Sequence, residues 1–191
     1  MPRPIAISAH YVCPVVLCDE ETLQQYRVLD EQRQQEWRAS KPYPDINIWI
    51  GSQTDALNKS ALEENGVTAI INVAVECRDL EGSVLVDPDD PQLVDGKINI
   101  LRLDIEDHSD SDIEKAAERA VTFATKASTK PHYGLLIHCS RGISRAPTIA
   151  CAVLSRLFGK KNIRDTMEDI KQCRPITSPN LGFELYLDSL P

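Results

Sequence analysis

The chain has 191 residues, 42% of them hydrophobic and 26% charged, with a formal net charge of −8. That suffices for one compact domain with an extension, in ordinary globular proportions. The acidic balance argues against non-specific binding to nucleic acid or anionic membranes, and no apolar run approaches the ~18 residues of a membrane span. Residues 1–18 almost lack a basic leader, and His10, Cys13 and Pro14 interrupt their apolar stretch, so they do not read as a secretory signal. The six cysteines, at 13, 18, 77, 139, 151 and 173, follow no zinc or disulfide spacing. Reduced thiols in the cytoplasm or nucleus are therefore expected, with no metal and no cofactor.

Residues 1–40 differ from the rest and are read as an N-terminal extension. Glu20–Trp37 is rich in Gln, Glu and Arg, and Leu23, Tyr26 and Leu29 recur every three residues, which predicts a helix with a narrow apolar stripe. Such a helix either packs on the domain as an accessory element or docks a partner. Pro42 and Pro44 mark the boundary, so the domain proper is 41–191. Strands and helices then alternate. Strands are predicted at Ile46–Ile50, Thr68–Val73, Ile98–Asp104 and Leu135–His138. Helices are predicted at Asp55–Asn65, with Gly66 just past its end, at Ile113–Ala127 after an Asp112 cap, and at Ser144–Phe158, closed by Gly159. Two more are predicted at Ile163–Cys173 and Leu181–Leu190. Arg78–Asp95 reads as a polar, acidic connection. This order predicts an α/β fold, a single domain with a central, largely parallel sheet flanked by helices, and ligands at the carboxyl ends of its strands.

The most informative segment is His138-Cys139-Ser140-Arg141-Gly142-Ile143-Ser144-Arg145. It joins the apolar run Leu135-Leu136-Ile137 to the helix that begins near Ala146-Pro147-Thr148. A cysteine leaving a strand, a glycine in a tight loop and an arginine at a helix start make an anion cradle, because loop amides and the positive end of the helix dipole converge on one spot. The same field favours a thiolate over a thiol. Gly142 lets the backbone turn so that neighbouring amides face inward, and Pro147 suits a first helical turn. Arg145 offers a planar fork of donors that matches two phosphoryl oxygens. A cysteine nucleophile inside such a cradle is what covalent cleavage of a phosphate ester requires.

The pattern resembles the cysteine-dependent protein phosphatases, whose signature is HCxxGxxR. Three further stretches are similar to the dual-specificity branch: Ile48-Trp49-Ile50-Gly51-Ser52, Gly66-Val67-Thr68-Ala69-Ile70-Ile71-Asn72-Val73, and Arg174-Pro175-Ile176-Thr177-Ser178-Pro179-Asn180-Leu181-Gly182-Phe183. The resemblance spans roughly Tyr43 to Leu190. It implies a dual-specificity phosphatase-like fold, with Cys139 as nucleophile and Arg145 binding the transferring phosphoryl group. The loop would be His138, Ser140, Arg141, Gly142, Ile143 and Ser144. His138 would help set the loop and the thiolate, a role that overlaps with that of a satisfied core histidine. The general acid would come from the carboxylate-rich segment Leu103–Asp112; the match selects Asp107, with Asp104 and Asp110 as the alternatives. Asn180 would brace the active-site loops. Arg141 and Arg174 would read a second negative charge near the pocket or lie solvated at the surface. One position departs from the pattern: where the family carries Ser or Thr after the arginine, this chain has Ala146, with Ser144 and Thr148 flanking it. The implied activity is hydrolysis of phosphotyrosine and phosphoserine/threonine in phosphoprotein substrates. The alternatives are a phosphatase for lipid or sugar phosphates, a slow phosphate-binding pseudophosphatase module and, more remotely, a sulfurtransferase.

Overall fold

A computed structural model of the chain describes residues 5–8, 11–12, 47–130, 133–158 and 162–190. Its elements, in chain order, are β1 (Ile5–Ser8), β2 (Tyr11–Val12), β3 (Asn47–Gly51), α1 (Gln53–Ala56), α2 (Lys59–Glu64), β4 (Ala69–Asn72), β5 (Val84–Val86), β6 (Asn99–Arg102), α3 (Ile113–Ala127), β7 (Gly134–His138), α4 (Arg145–Phe158), α5 (Ile163–Cys173) and α6 (Leu181–Ser189). The strands form one sheet in the order β2-β1-β3-β7-β4-β6-β5. The five strands from β3 to β5 are parallel, and β1 and β2 add antiparallel to the β3 edge.

The parallel strands are apolar on both faces because both faces are covered. Ile48, Ile50, Ile71, Leu101, Leu135 and Ile137 point into the larger core, against α3, α4, α5 and α6. Trp49, Ile70, Ile100 and Leu136 alternate with them and meet Ala56 and Leu62 of α1 and α2 on the other face. The register places Ile137 between Ile50 and Ile71, and His138 between Gly51 and Asn72. The strand ends that carry the loop are thereby level with one another. α4 runs through the middle of the larger core and is buried on every side from Arg145 to Leu154.

Three features differ from the sequence reading. The helix expected over Asp55–Asn65 is two short helices. Ser52 donates to Asp55 through its backbone and its hydroxyl (2.7 and 2.8 Å), and Asn58 accepts from Ala61 N–H at 3.2 Å. That second cap restarts the helix where one continuous run was expected. Gly66 does sit in the left-handed region (φ 64°) at the end of α2. The connection over Arg78–Asp95 contains an unexpected edge strand, β5, three residues long and with Leu85 exposed. The extension supplies two strands, β1 and β2, to the sheet. The helix expected at Glu20–Trp37 and the Gly159 stop lie outside the described residues.

Candidate functional site

The segment Cys139–Ser144 leaves β7 and enters α4 at the carboxyl ends of the parallel strands. Every carbonyl from Ser140 to Ser144 is held by a donor. Gln53 N–H takes that of Ser140 (3.2 Å) and Ser178 N–H that of Ile143 (2.8 Å), while Thr148 takes that of Ser144 with its amide (3.2 Å) and its hydroxyl (2.9 Å). Arg174 takes the other two, Gly142 with Nε at 2.6 Å and Arg141 with Nη2 at 3.0 Å. A peptide's N–H points opposite to its C=O, so tying these carbonyls outward turns the loop amides toward its centre, the concavity that binds anions. Gly142 N–H donates to Cys139 Sγ at 3.2 Å. Gly142 has φ 66°, and a Cβ there would lie 2.5 Å from the Gly51 carbonyl oxygen and 2.8 Å from Arg174 Nη2; only glycine fits. Arg174, expected to read an outside charge or lie solvated, thus spends these donors on the loop's own backbone. Arg141 stays exposed at the rim.

Cys139 lies at the base of the loop, 2% exposed. Burial pushes the Cys77 thiol up to about 11 and that of Cys151 up to about 12, which keeps both protonated and unreactive at neutral pH. His138 is buried behind Cys139, and burial lowers its imidazole from 6.5 to about 4. It is therefore neutral at physiological pH and acts on the loop without a charge. Its Nδ1 has no hydrogen-bond partner among the described residues.

The three candidate acids separate cleanly. Asp104 is exposed and bound to Arg102 Nε at 2.7 Å. Asp110 is exposed and faces His108 at 3.8 Å. Asp107 instead is drawn to the loop: its Oδ1 accepts from Ser144 Oγ (2.7 Å) and Asn180 Nδ2 (3.0 Å), and its Oδ2 lies 3.7 Å from Arg145 Nε. Asn180 also gives its N–H to Ser144 Oγ at 3.2 Å and caps α6 by accepting from Phe183 N–H at 3.1 Å. One residue therefore joins Asp107, the loop and a helix start. Arg145 is 4% exposed. Its Nη1 and Nη2 make a bidentate pair with Glu76 at 2.8 and 2.6 Å, and Nη1 also donates to the Ile105 carbonyl at 2.9 Å. Glu76 was not anticipated; its position just past β4, at a strand's carboxyl end, was the available signal.

Among the described residues no cluster of His, Cys, Asp and Glu is set to hold a metal ion, and no helix is long and apolar enough to cross a membrane. A cavity of about 690 Å³ opens at the opposite ends of the strands, lined by Lys59, Leu80, Lys97 and Asn99 among others, away from this chemistry.

The structure thus brings together a buried cysteine, loop amides turned inward, an arginine and a tethered aspartate. The model of the dual specificity phosphatase catalytic domain matches residues 48–188, and the chain belongs to that family. It is 31% identical over 136 residues to dual specificity protein phosphatase 1-B of Xenopus laevis, covering 71% of this chain and 33% of that protein. It is 30% identical over 137 residues to the tyrosine-protein phosphatase vhp-1 of Caenorhabditis elegans, covering 72% and 19%. The chain thus spans a third or less of the length of these relatives. Among solved structures it is similar to the crystal structure of DUSP15, with 28% identity, a TM-score of 0.59, and coverage of 74% of this chain and 80% of that one.

Proposed function

We propose that this domain hydrolyses phosphate monoesters of phosphoproteins, at tyrosine and at serine or threonine, through a phosphocysteine intermediate. The observation that carries the reading is the loop whose carbonyls are all tied outward around Cys139, with Asp107 fastened to it by Ser144 and Asn180. The Cys139 thiolate attacks phosphorus while the loop amides and Arg145 hold the phosphoryl oxygens. Asp107 gives its proton to the leaving oxygen; its Oδ1 already accepts two hydrogen bonds, so Oδ2 is the oxygen to carry that proton. In the second step Asp107 takes a proton from water, water attacks phosphorus, and the S–P bond breaks to return the thiolate and release inorganic phosphate. His138, Ser140, Arg141, Gly142, Ile143 and Ser144 frame the phosphate, and Arg174 and Asn180 hold the frame. A reducing compartment, cytoplasmic or nuclear, suits a mechanism that needs a free thiol.

The loop carries no lysine, only Arg141, which favours protein monoesters over multiply charged lipid or sugar phosphates. The test is turnover on phosphotyrosine peptide, phosphothreonine peptide, a phosphoinositide and a phosphoglucan in parallel. Peptide turnover is expected to lead. Cys139→Ser should abolish it while retaining phosphate binding, because a hydroxyl is a far weaker nucleophile in an unchanged cradle. Residual turnover within about tenfold of wild type in that variant would remove the covalent mechanism.

A further inference from the structure

Glu76 stands on a braced loop. The carbonyls of the residues on either side of it, Val75 and Cys77, both accept from Arg102, from Nη2 at 2.7 Å and Nη1 at 2.8 Å. Asn72, at the end of β4, adds bonds to Ala74 N–H at 3.1 Å and to Asp79 at 2.8 Å. Arg102 in turn is anchored on Asp79 at 3.0 Å and on Asp104 at 2.7 Å. A solvated surface carboxylate has no need of such a platform.

An arginine guanidinium has five N–H donors in a fixed plane. In Arg145 three are used: Glu76 takes one from each terminal nitrogen, and the Ile105 carbonyl takes the second from Nη1. Left over are Nε–H, which is buried and has no hydrogen-bond partner among the described residues, and the second Nη2–H. These two lie along the same edge of the plane, the side-on fork that grips two oxygens of a phosphate. That edge faces Asp107, with Nε 3.7 Å from Oδ2. A buried charged donor without a partner is costly unless something binds it, and the oxygens of a bound phosphoryl group are suited to do so.

We propose that Glu76 is a positioning residue for phosphoryl transfer: it clamps the end of the Arg145 guanidinium so that the Nε edge is presented to the phosphate. This rests on the phosphatase reading above. Glu76 touches neither the phosphate nor the leaving group. It fixes the rotamer of the cation that does, and Arg102 fixes Glu76 by holding the carbonyls on either side of it.

The test compares Glu76→Gln, Glu76→Asp and wild type for kcat and KM on an aryl phosphate. Inorganic phosphate affinity is measured by calorimetry with the same substitutions on the Cys139→Ser background, and thermal melting is recorded for each. Glu76→Gln turns an NH2 group toward a cation, so KM and the phosphate Kd are expected to rise about tenfold or more, with melting little changed, since half of the Glu76 side chain is exposed. Glu76→Asp keeps the charge on a stem one methylene shorter and should fall between the two. Unchanged phosphate affinity in Glu76→Gln would overturn the proposal. Tighter phosphate binding would also overturn it, because the carboxylate would then be a competitor for the arginine. If wild type turns over none of the substrates but its phosphate affinity still depends on Glu76, the phosphatase reading fails and the positioning role stands.

Discussion

Replacing Ala146 with serine probes the one place where this chain departs from its family's pattern. Hydrolysis of the phosphocysteine expels a thiolate, and the family's hydroxyl at this position donates to that sulfur. The two neighbouring hydroxyls do not substitute for it: Ser144 gives its proton to Asp107 at 2.7 Å, and Thr148 gives its own to the Ser144 carbonyl at 2.9 Å. Cys139 Sγ keeps one donor, the Gly142 amide at 3.2 Å. A neutral donor to a charged acceptor is worth roughly 1.5–3 kcal/mol, a factor of about 10–150 in rate if the bond forms only as the thiolate develops. Since Gly142 already serves the sulfur, the lower end is expected, about tenfold. Rapid-quench kinetics with a good aryl leaving group should show a burst in wild type, because phosphoenzyme forms faster than it breaks down. Ala146→Ser should raise steady-state turnover about tenfold and shrink the burst. Absence of a burst in wild type, together with no gain in the variant, would refute the reasoning, for it would mean that breakdown does not depend on a hydroxyl here.

The remaining predictions concern the acid and the buried histidine. Asp107→Asn should slow phosphoserine cleavage by about 10²–10⁴ while barely touching an activated aryl phosphate, which scarcely needs a proton; the assignment fails if Asp104→Asn or Asp110→Asn carries that signature instead. His138 is held neutral in the fold down to about pH 4, against an ordinary value of 6.5, so between those values the unfolded chain binds a proton that the native state refuses. Its contribution is complete above pH 6.5 and is lost as pH falls toward 4, about 3 kcal/mol in all. Urea denaturation at several pH values should therefore find less acid destabilisation in His138→Gln than in wild type; parallel curves for the two proteins would contradict a neutral native imidazole.

How much of this was legible in the sequence depends on how far each interaction reaches along the chain. The strands β3, β4, β6 and β7 are short apolar runs because the sheet is covered on both faces; α3 and α5 show their buried stripes directly, and α4 is an apolar run buried on every side as far as Leu154. β5 is three residues with one buried side chain, too short for a period to register, and it exists because β6 offers it an edge. β1 and β2 likewise owe their conformation to the open edge of β3, which no local pattern records. The phosphate loop was legible because its chemistry is contiguous: Cys139, Gly142 and Arg145 need one another within a single turn. The acid was sought in a carboxylate-rich segment and assigned to Asp107 by resemblance, with Asp104 and Asp110 as alternatives; what separates them physically is Asn180, which reaches back to Asp107 from the cap of α6. Glu76 was invisible because its partner lies 69 positions away, and the grip of Arg174 on the loop carbonyls was invisible because it spans 32 and 33 positions. Both omissions have one cause. A charged side chain declares its chemistry in the sequence, whereas its partner is chosen by the register of the sheet, which here brings the ends of β4 and β7 level and so sets Glu76 against Arg145.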